Sequence, residues 1–241
     1  MIRSYVFLVN ARDPLAPDRA YAFYGALLSL LPADYGELVH RQGETPLTQH
    51  LCEEDGKTYW RVHLLDDAGG GAVSEVLNGL GALSLHTGEI GLALRERADL
   101  TAEELMEAAR GMERQRYFNL RILSPTAFRQ AGKYVVLPDK ELILQSLINK
   151  WNVVFPSYPL EDRDAFRMLA DGIRITDYRL HTMRFRMKDS RIPGFVGNLS
   201  IDAQLSAPIM ELWKLLLLFS ERSGIGIKTA LGMGGVKLMR S

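Results

Sequence analysis

Residues 223–241 read SGIGIKTALGMGGVKLMRS, with Gly224, Gly226, Gly232, Gly234 and Gly235 gathered around a single lysine, Lys228. Glycines let backbone N–H groups approach an anion closely and a lysine adds a point charge, so a phosphate-holding loop is the first expectation. The familiar nucleotide motifs do not fit. A Walker loop needs a glycine directly before Lys228-Thr229, where Ile227 stands, and a dinucleotide fingerprint needs a third glycine where Thr229 or Lys237 sits. Those loops also follow a strand and open a helix. Here the preceding stretch, residues 207–223 (APIMELWKLLLLFSERS), reads as a helix with Pro208 near its start and Gly224 just past its end. The loop therefore leaves a helix and enters a short final strand, Val236 to Met239. A glycine C-cap followed by a tight turn accounts for part of this, but five glycines exceed what a cap requires.

The rest of the chain alternates strands with helices. Ile2–Val9 reads as a strand, Pro17–Leu31 as a helix, the run around Tyr59–Leu65 as a strand, Gly70–Leu80 as a helix and Leu83–Leu94 as a strand. In residues 100–111, LTAEELMEAARG, Thr101 and Glu104 have the spacing of a capping box and Gly111 ends the helix. The order then repeats: strands at Tyr117–Leu123 and Tyr134–Leu137, a helix at Asp139–Trp151, two long strands through Leu205, the helix at Ala207–Ser223 and the last strand. Strands interleaved with two helices per half predict an α+β fold of two tandem ferredoxin-like (RRM-like) units, 1–116 and 117–241, the second carrying the glycine-rich loop 224–235.

Composition sets outer limits. The 241 residues, 47% hydrophobic, are enough for one large or two small cores. No stretch approaches the roughly 20 apolar residues of a bilayer span, and the N-terminus MIRSYVFLVN lacks a signal peptide's apolar region, so a cytoplasmic location and no membrane partner are expected. A lone Cys52 excludes internal disulfides and cysteine-rich zinc sites, and the five histidines show no HExxH spacing. No metal and no cofactor are expected. Asp66–Gly71 (DDAGGG) lacks the spaced carboxylates of a calcium loop and reads as a turn before a helix.

The net charge of zero conceals a division. Residues 1–116 hold 11 Lys/Arg against 18 Asp/Glu, a net of −7, and residues 117–241 hold 18 against 11, a net of +7. Either surface charge is unevenly spread over one domain, or a basic unit meets a polyanion. In residues 178–191, YRLHTMRFRMKDSR, Met183, Phe185 and Met187 alternate with Arg184, Arg186 and Lys188 at the period of a strand. All three cations then share one exposed face. Edge strands use such residues against aggregation, but with Arg179 and Arg191 close by, a stripe following a phosphate backbone is the better reading.

Several strings together resemble the CRISPR repeat-processing endoribonucleases, the Cas six family of the repeat-associated mysterious protein (RAMP) superfamily. They are the GIGIKTALGMGGVKL loop, the RIPGFVGNLSIDAQL strand with its Gly194–Gly197 segment, and LRILSPTAFRQAGKYVVLPDKELILQSLINKWN. The first half matches more loosely, through AFYGALLSLLPADYGELVH and TPLT. The resemblance implies endonuclease activity, namely metal-independent cleavage of CRISPR repeat RNA by attack of its own 2′-hydroxyl, leaving a 2′,3′-cyclic phosphate and a 5′-hydroxyl. It implies a role in crRNA processing for antiviral defense, with repeat RNA and other CRISPR effector subunits as partners, and a monomer or homodimer. The alternative is a non-catalytic RNA-binding subunit of a CRISPR effector complex.

The same resemblance supplies candidates. His40, at the end of the helix the family uses to present its catalytic histidine, comes first, since an unperturbed imidazole titrates near pH 6.5 and serves as base or acid. His50 and Tyr24 follow as catalytic candidates, a core aromatic being an equal reading of Tyr24. Where the family often has a lysine shortly after the histidine, this chain has Thr45-Pro46, and Arg41 or Lys57 are the substitutes. The RNA-binding candidates are Arg129 and Lys133 on a hairpin tip, Arg184, Arg186, Lys188 and Arg191, and Gly226, Lys228, Gly232 and Gly234 of the loop, which in the family packs between the halves near the RNA backbone. His63, His86 and His181 fall in strand-like runs and are expected to point inward.

Overall fold

Phe118, Leu120 and Ile122 are buried while Tyr117, Asn119 and Arg121 between them are exposed, the two-residue period that seats one face of a strand on a core. The same logic, repeated along the chain, builds two sheets. The computed structural model describes residues 1–32, 47–65 and 70–239. Its elements are β1 (Ile2–Asn10), α1 (Ala20–Ser29), β2 (Leu47–Glu54), β3 (Lys57–Leu64), α2 (Gly70–Gly79), β4 (Ala82–Leu85), β5 (Gly88–Leu100) and α3 (Ala102–Gly111). There follow β6 (Tyr117–Thr126), β7 (Phe128–Gln130), β8 (Lys133–Val135), α4 (Lys140–Val154), α5 (Arg163–Gly172), β9 (Ile173–Arg186), β10 (Arg191–Ala203), α6 (Ala207–Ser223) and β11 (Val236–Met239).

Both sheets are antiparallel, ordered β2-β3-β1-β5-β4 and β11-β6-β10-β9, with β7-β8 a separate hairpin. In each, the first strand of the half lies between its third and its last, the ferredoxin-like arrangement; β4 is an added edge strand on the first sheet. Caps act where the residue pattern places them. The Thr101 hydroxyl accepts from Glu104 N–H at 3.2 Å while Glu104 accepts from Thr101 N–H at 2.8 Å, and Asp139 accepts from Leu142 N–H at 2.9 Å.

Three elements differ from the expectation. β2, absent from the sequence reading, pairs with β3 from Leu47 to Glu54, and its polar Thr48, Gln49 and His50 are all buried. The run 83–94 is a hairpin, β4 and β5, turned at His86-Thr87. α5 was not expected; its first turn is capped by Asp162, which accepts from Asp164 and Ala165 N–H. Finally, α3 shares its buried Ala102, Leu105 and Ala109 with the core of the second sheet, although it precedes residue 116. Packing therefore groups it with the second half.

The halves meet where β2 faces the glycine-rich loop. Gln49 lies at the centre: its Nε2 donates to Ala20 O and Ala230 O, both at 3.1 Å, and its Oε1 accepts from Trp60 Nε1 at 2.8 Å. All three bonds of this knot are buried, and Ala230, from the far end of the chain, joins the first half's apolar cluster. Replacing Gln49 with leucine leaves one donor and two acceptors without partners, so the chain should lose about 3 kcal/mol of unfolding free energy. Urea titration of Gln49→Leu against the native chain measures it.

Candidate nucleic-acid interface

Gly224 closes α6 at φ 63°, and from there the loop is stitched to its own half. Ile225 N–H donates to Gly234 O (2.9 Å), Gly226 N–H to Ser146 Oγ (2.9 Å), Ile227 N–H to Ala127 O (3.0 Å), Gly234 N–H to Pro125 O (3.1 Å) and Gly235 N–H to Ser124 Oγ (2.8 Å). Lys150 Nζ donates to the Ser223 and Gly224 carbonyls. On the other side the loop presses on the first half. A Cβ on Gly232, where φ is +117°, would stand 2.4 Å from the Ala20 Cβ; one on Gly235 would stand 2.5 Å from the His50 ring. The glycines at 226, 232 and 234 therefore serve close packing of protein on protein, and their N–H groups are spent on protein acceptors. Lys228 is different: it is exposed, in the left-handed region at φ 56°, at the head of the turn Thr229–Leu231.

The cations foreseen as RNA contacts converge. Ala127, Phe185, Ile192 and Met233 form a small buried cluster against which Tyr21, Met187, Ile227 and Leu231 pack. Arg184 and Arg186 flank Phe185, Lys188 follows Met187, Arg191 precedes Ile192, Lys228 follows Ile227 and Arg129 starts two residues after Ala127. One apolar knot thus roots the β9–β10 hairpin, the β7–β8 hairpin and the glycine-rich loop, and all six cations are exposed around it. Lys133 is exposed at the far side of the β7–β8 turn, Ala131-Gly132, directly opposite Gln130. The strand ends two residues earlier than expected: β9 stops at Arg186 and Lys188 sits in the bend that joins it to β10. At the seam a cavity of about 360 Å³ is lined by Ala16, Asp18, Met183, Arg184, Arg186 and Arg191.

The catalytic candidates fare differently. His40, with Arg41, Thr45 and Pro46, lies outside the described residues. Tyr24 is nine-tenths buried in the first half's core, where desolvation raises its pKa. His50 is 4% exposed, its ring against Gly235 and 6.5 Å from that of His63. Loss of water, then the nearby Arg61 guanidinium, lowers the His50 pKa to about 3, with Glu54 opposing weakly. A neutral, dry imidazole in the seam is a packing group and not a proton shuttle facing substrate. His63 is buried as expected, its Nδ1 2.9 Å from Ser4 Oγ. His86 and His181 are exposed, contrary to expectation, because the first sits in the β4–β5 turn and the second on a strand at the sheet edge.

Residues 120–236 match the family described as CRISPR-associated endoribonuclease Cas6. The chain is 35% identical over 238 residues to a CRISPR-associated endoribonuclease Cas6 of Streptococcus thermophilus, covering 98% of each. To a protein of that description from Mycobacterium tuberculosis it is 26% identical over 220 residues, 89% of this chain and 70% of the relative. A solved Cas6 product complex is similar in fold, with a TM-score of 0.78 at 24% identity over the full length of both chains.

The buried histidines make the seam sensitive to acid. Because the folded state holds the His50 pKa near 3 while the unfolded chain titrates near 6.5, the unfolded state binds more protons between those values. Stability is complete above about pH 6.5 and falls as pH falls toward 3. His50 alone should remove about 2 kcal/mol by pH 5. Urea midpoints at pH 7.5 and 5 measure the loss, and His50→Gln should reduce it.

Proposed function

The chain belongs to the family of the CRISPR-associated endoribonuclease Cas6 and acts in CRISPR RNA processing, and from that premise we propose that it cuts within each repeat of the precursor transcript without a metal ion. The 2′-oxygen upstream of the scissile phosphate attacks phosphorus, the bond to the 5′-oxygen breaks, and that oxygen leaves with a proton. The products are a 2′,3′-cyclic phosphate and a 5′-hydroxyl. Such a reaction needs a group that takes the proton from the nucleophile, one that gives a proton to the leaving oxygen, and cations near the pentavalent phosphate.

The observation that carries the RNA reading is the ring of exposed Arg129, Arg184, Arg186, Lys188, Arg191 and Lys228 around one apolar knot. Six exposed cations on three segments rooted in that knot, only Arg186 of them ion-paired among the described residues, give a surface of positive charge, and phosphates at successive nucleotides match it. The Cas6 product complex and a solved RAMP protein binding different RNA substrates are similar in fold, which is consistent with this reading. We assign proton transfer to His40, since burial sets Tyr24 and His50 aside as supports of the core and the seam.

Incubation of the protein with its cognate repeat RNA in EDTA, followed by mapping of the ends, should give cyclic phosphate and 5′-hydroxyl termini. A single 2′-deoxy substitution upstream of the cut should abolish cleavage and spare binding. His40→Ala should bind normally and cleave about 10²–10⁴ slower in single turnover; native-rate cleavage by that variant moves the role elsewhere. Replacing Arg184, Arg186 and Lys188 with alanine should weaken binding and flatten its salt dependence by about 0.7–0.9 in log–log slope per lost contact.

A further inference from the structure

Arg186 and Arg191 face each other directly across the β9–β10 ladder, and Arg184 stands two residues along the same strand. Like charges directly opposite are unfavourable, and all three arginines line the seam cavity. One carboxylate enters it, and it comes from the other half of the molecule: Asp18 Oδ2 accepts from Arg186 Nε at 2.6 Å. The arrangement is lopsided. The Asp18 side chain is 9% exposed, with Oδ1 buried and without a hydrogen-bond partner, and Arg186 is 66% exposed, so the carboxylate is the enclosed partner, placed by its backbone, and the guanidinium the presented one. Among the described residues Arg184 and Arg191 have no ion pair, and Arg186 has none besides Asp18.

Asp18 is anchored for a reason that runs back to the seam. It sits in the single turn Pro17–Arg19 that leads into α1, whose first residue, Ala20, gives its carbonyl to Gln49 and lies under Gly232. The turn is therefore set by the docking of the glycine-rich loop. A carboxylate bound at Nε holds one side of a guanidinium and leaves both Nη groups as a fork that matches two phosphate oxygens.

We propose that Asp18 is a positioning residue for RNA: from the first half it fixes the Arg186 guanidinium so that its Nη fork, beside Arg184 and Arg191, takes a phosphodiester of the bound repeat. The inference rests on the RNA-binding reading of the β9–β10 hairpin. It has an unusual sign. Removing a negative charge beside three arginines should tighten RNA binding by simple electrostatics, whereas loss of a positioning carboxylate weakens it.

The test uses the full chain and its cognate repeat RNA carrying the 2′-deoxy block, with affinity measured from 50 to 300 mM salt. Asp18→Asn should bind about 5–10-fold more weakly, with a shallower salt slope, and should add nothing in an Arg186→Ala background. Arg186→Lys keeps an ion pair with Asp18 but replaces the fork by a point charge, so it should hold its melting temperature and still lose affinity by a similar factor. With cleavable RNA at limiting enzyme, KM should rise in both variants with kcat little changed. Asp18→Asn that binds as tightly as the native chain or tighter, or Arg186→Lys that binds like the native chain, overturns the inference while leaving the RNA reading intact. An Arg186→Ala chain with native affinity and salt slope overturns the RNA reading of the hairpin, and the inference with it.

Discussion

The packing of the glycine-rich loop against β2 is the constraint on which the rest of the structure depends. Its inner side is held by hydrogen bonds to Ser124, Pro125, Ala127 and Ser146, so it moves as part of the second half. Its outer side offers no side chains at Gly232 and Gly235, so Ala20 and the His50 ring can come to distances that any Cβ would forbid. Gln49 then ties three buried groups from three elements together. A buried amide of this kind contributes modestly when satisfied and costs heavily when any partner is displaced, which makes the relative position of the halves specific as well as stable.

Polar chemistry continues outward along the same seam. The Thr48 hydroxyl donates to Arg222 O, Glu54 accepts from both Arg61 and Lys237 at 3.1 and 3.0 Å, and the two buried imidazoles lie between. Arg61 and Lys237 hold the Glu54 carboxyl below its ordinary range despite its partial burial. Glu54 is thus paired both within its own half, by Arg61, and across the seam, by Lys237. Charges at its rim, on the β9–β10 hairpin, are mostly left unpaired. That contrast separates the part of the seam that holds the protein together from the part available to a polyanion.

Much of the architecture was legible because local rules suffice for it. The Ala207–Ser223 helix, the strand Val236–Met239, the Thr101–Glu104 capping box and the Ala131-Gly132 hairpin turn all rest on spacing, caps and turn residues acting within a few positions. β2 was not legible. LTQHLCEE carries Thr48, Gln49 and His50 in succession, and a strand is recognised by apolar alternation only when its polar residues face water. Here those residues are buried because a second half covers the strand. α5 was not legible for another reason: RDAFRMLADG is only ten residues long, its five apolar residues are interleaved with four charges, and only Leu169 and Ala170 are buried.

The sequence by itself determined the two-fold repetition of strands and helices, the excess of positive charge in the second half, the alternation of Arg184 and Arg186 about Phe185, and the glycine loop's failure to match any nucleotide motif. Those properties depend on residue type and on neighbours a few positions away. Only the tertiary structure decided what the glycines are for, that His50 is dry and neutral, and that Asp18 meets Arg186 across 168 positions of chain. Each of these depends on which surfaces of the two halves are brought together. A histidine's pKa, a glycine's necessity and a carboxylate's partner are set by atoms in contact, and contact between distant segments is not written in the spacing of either one.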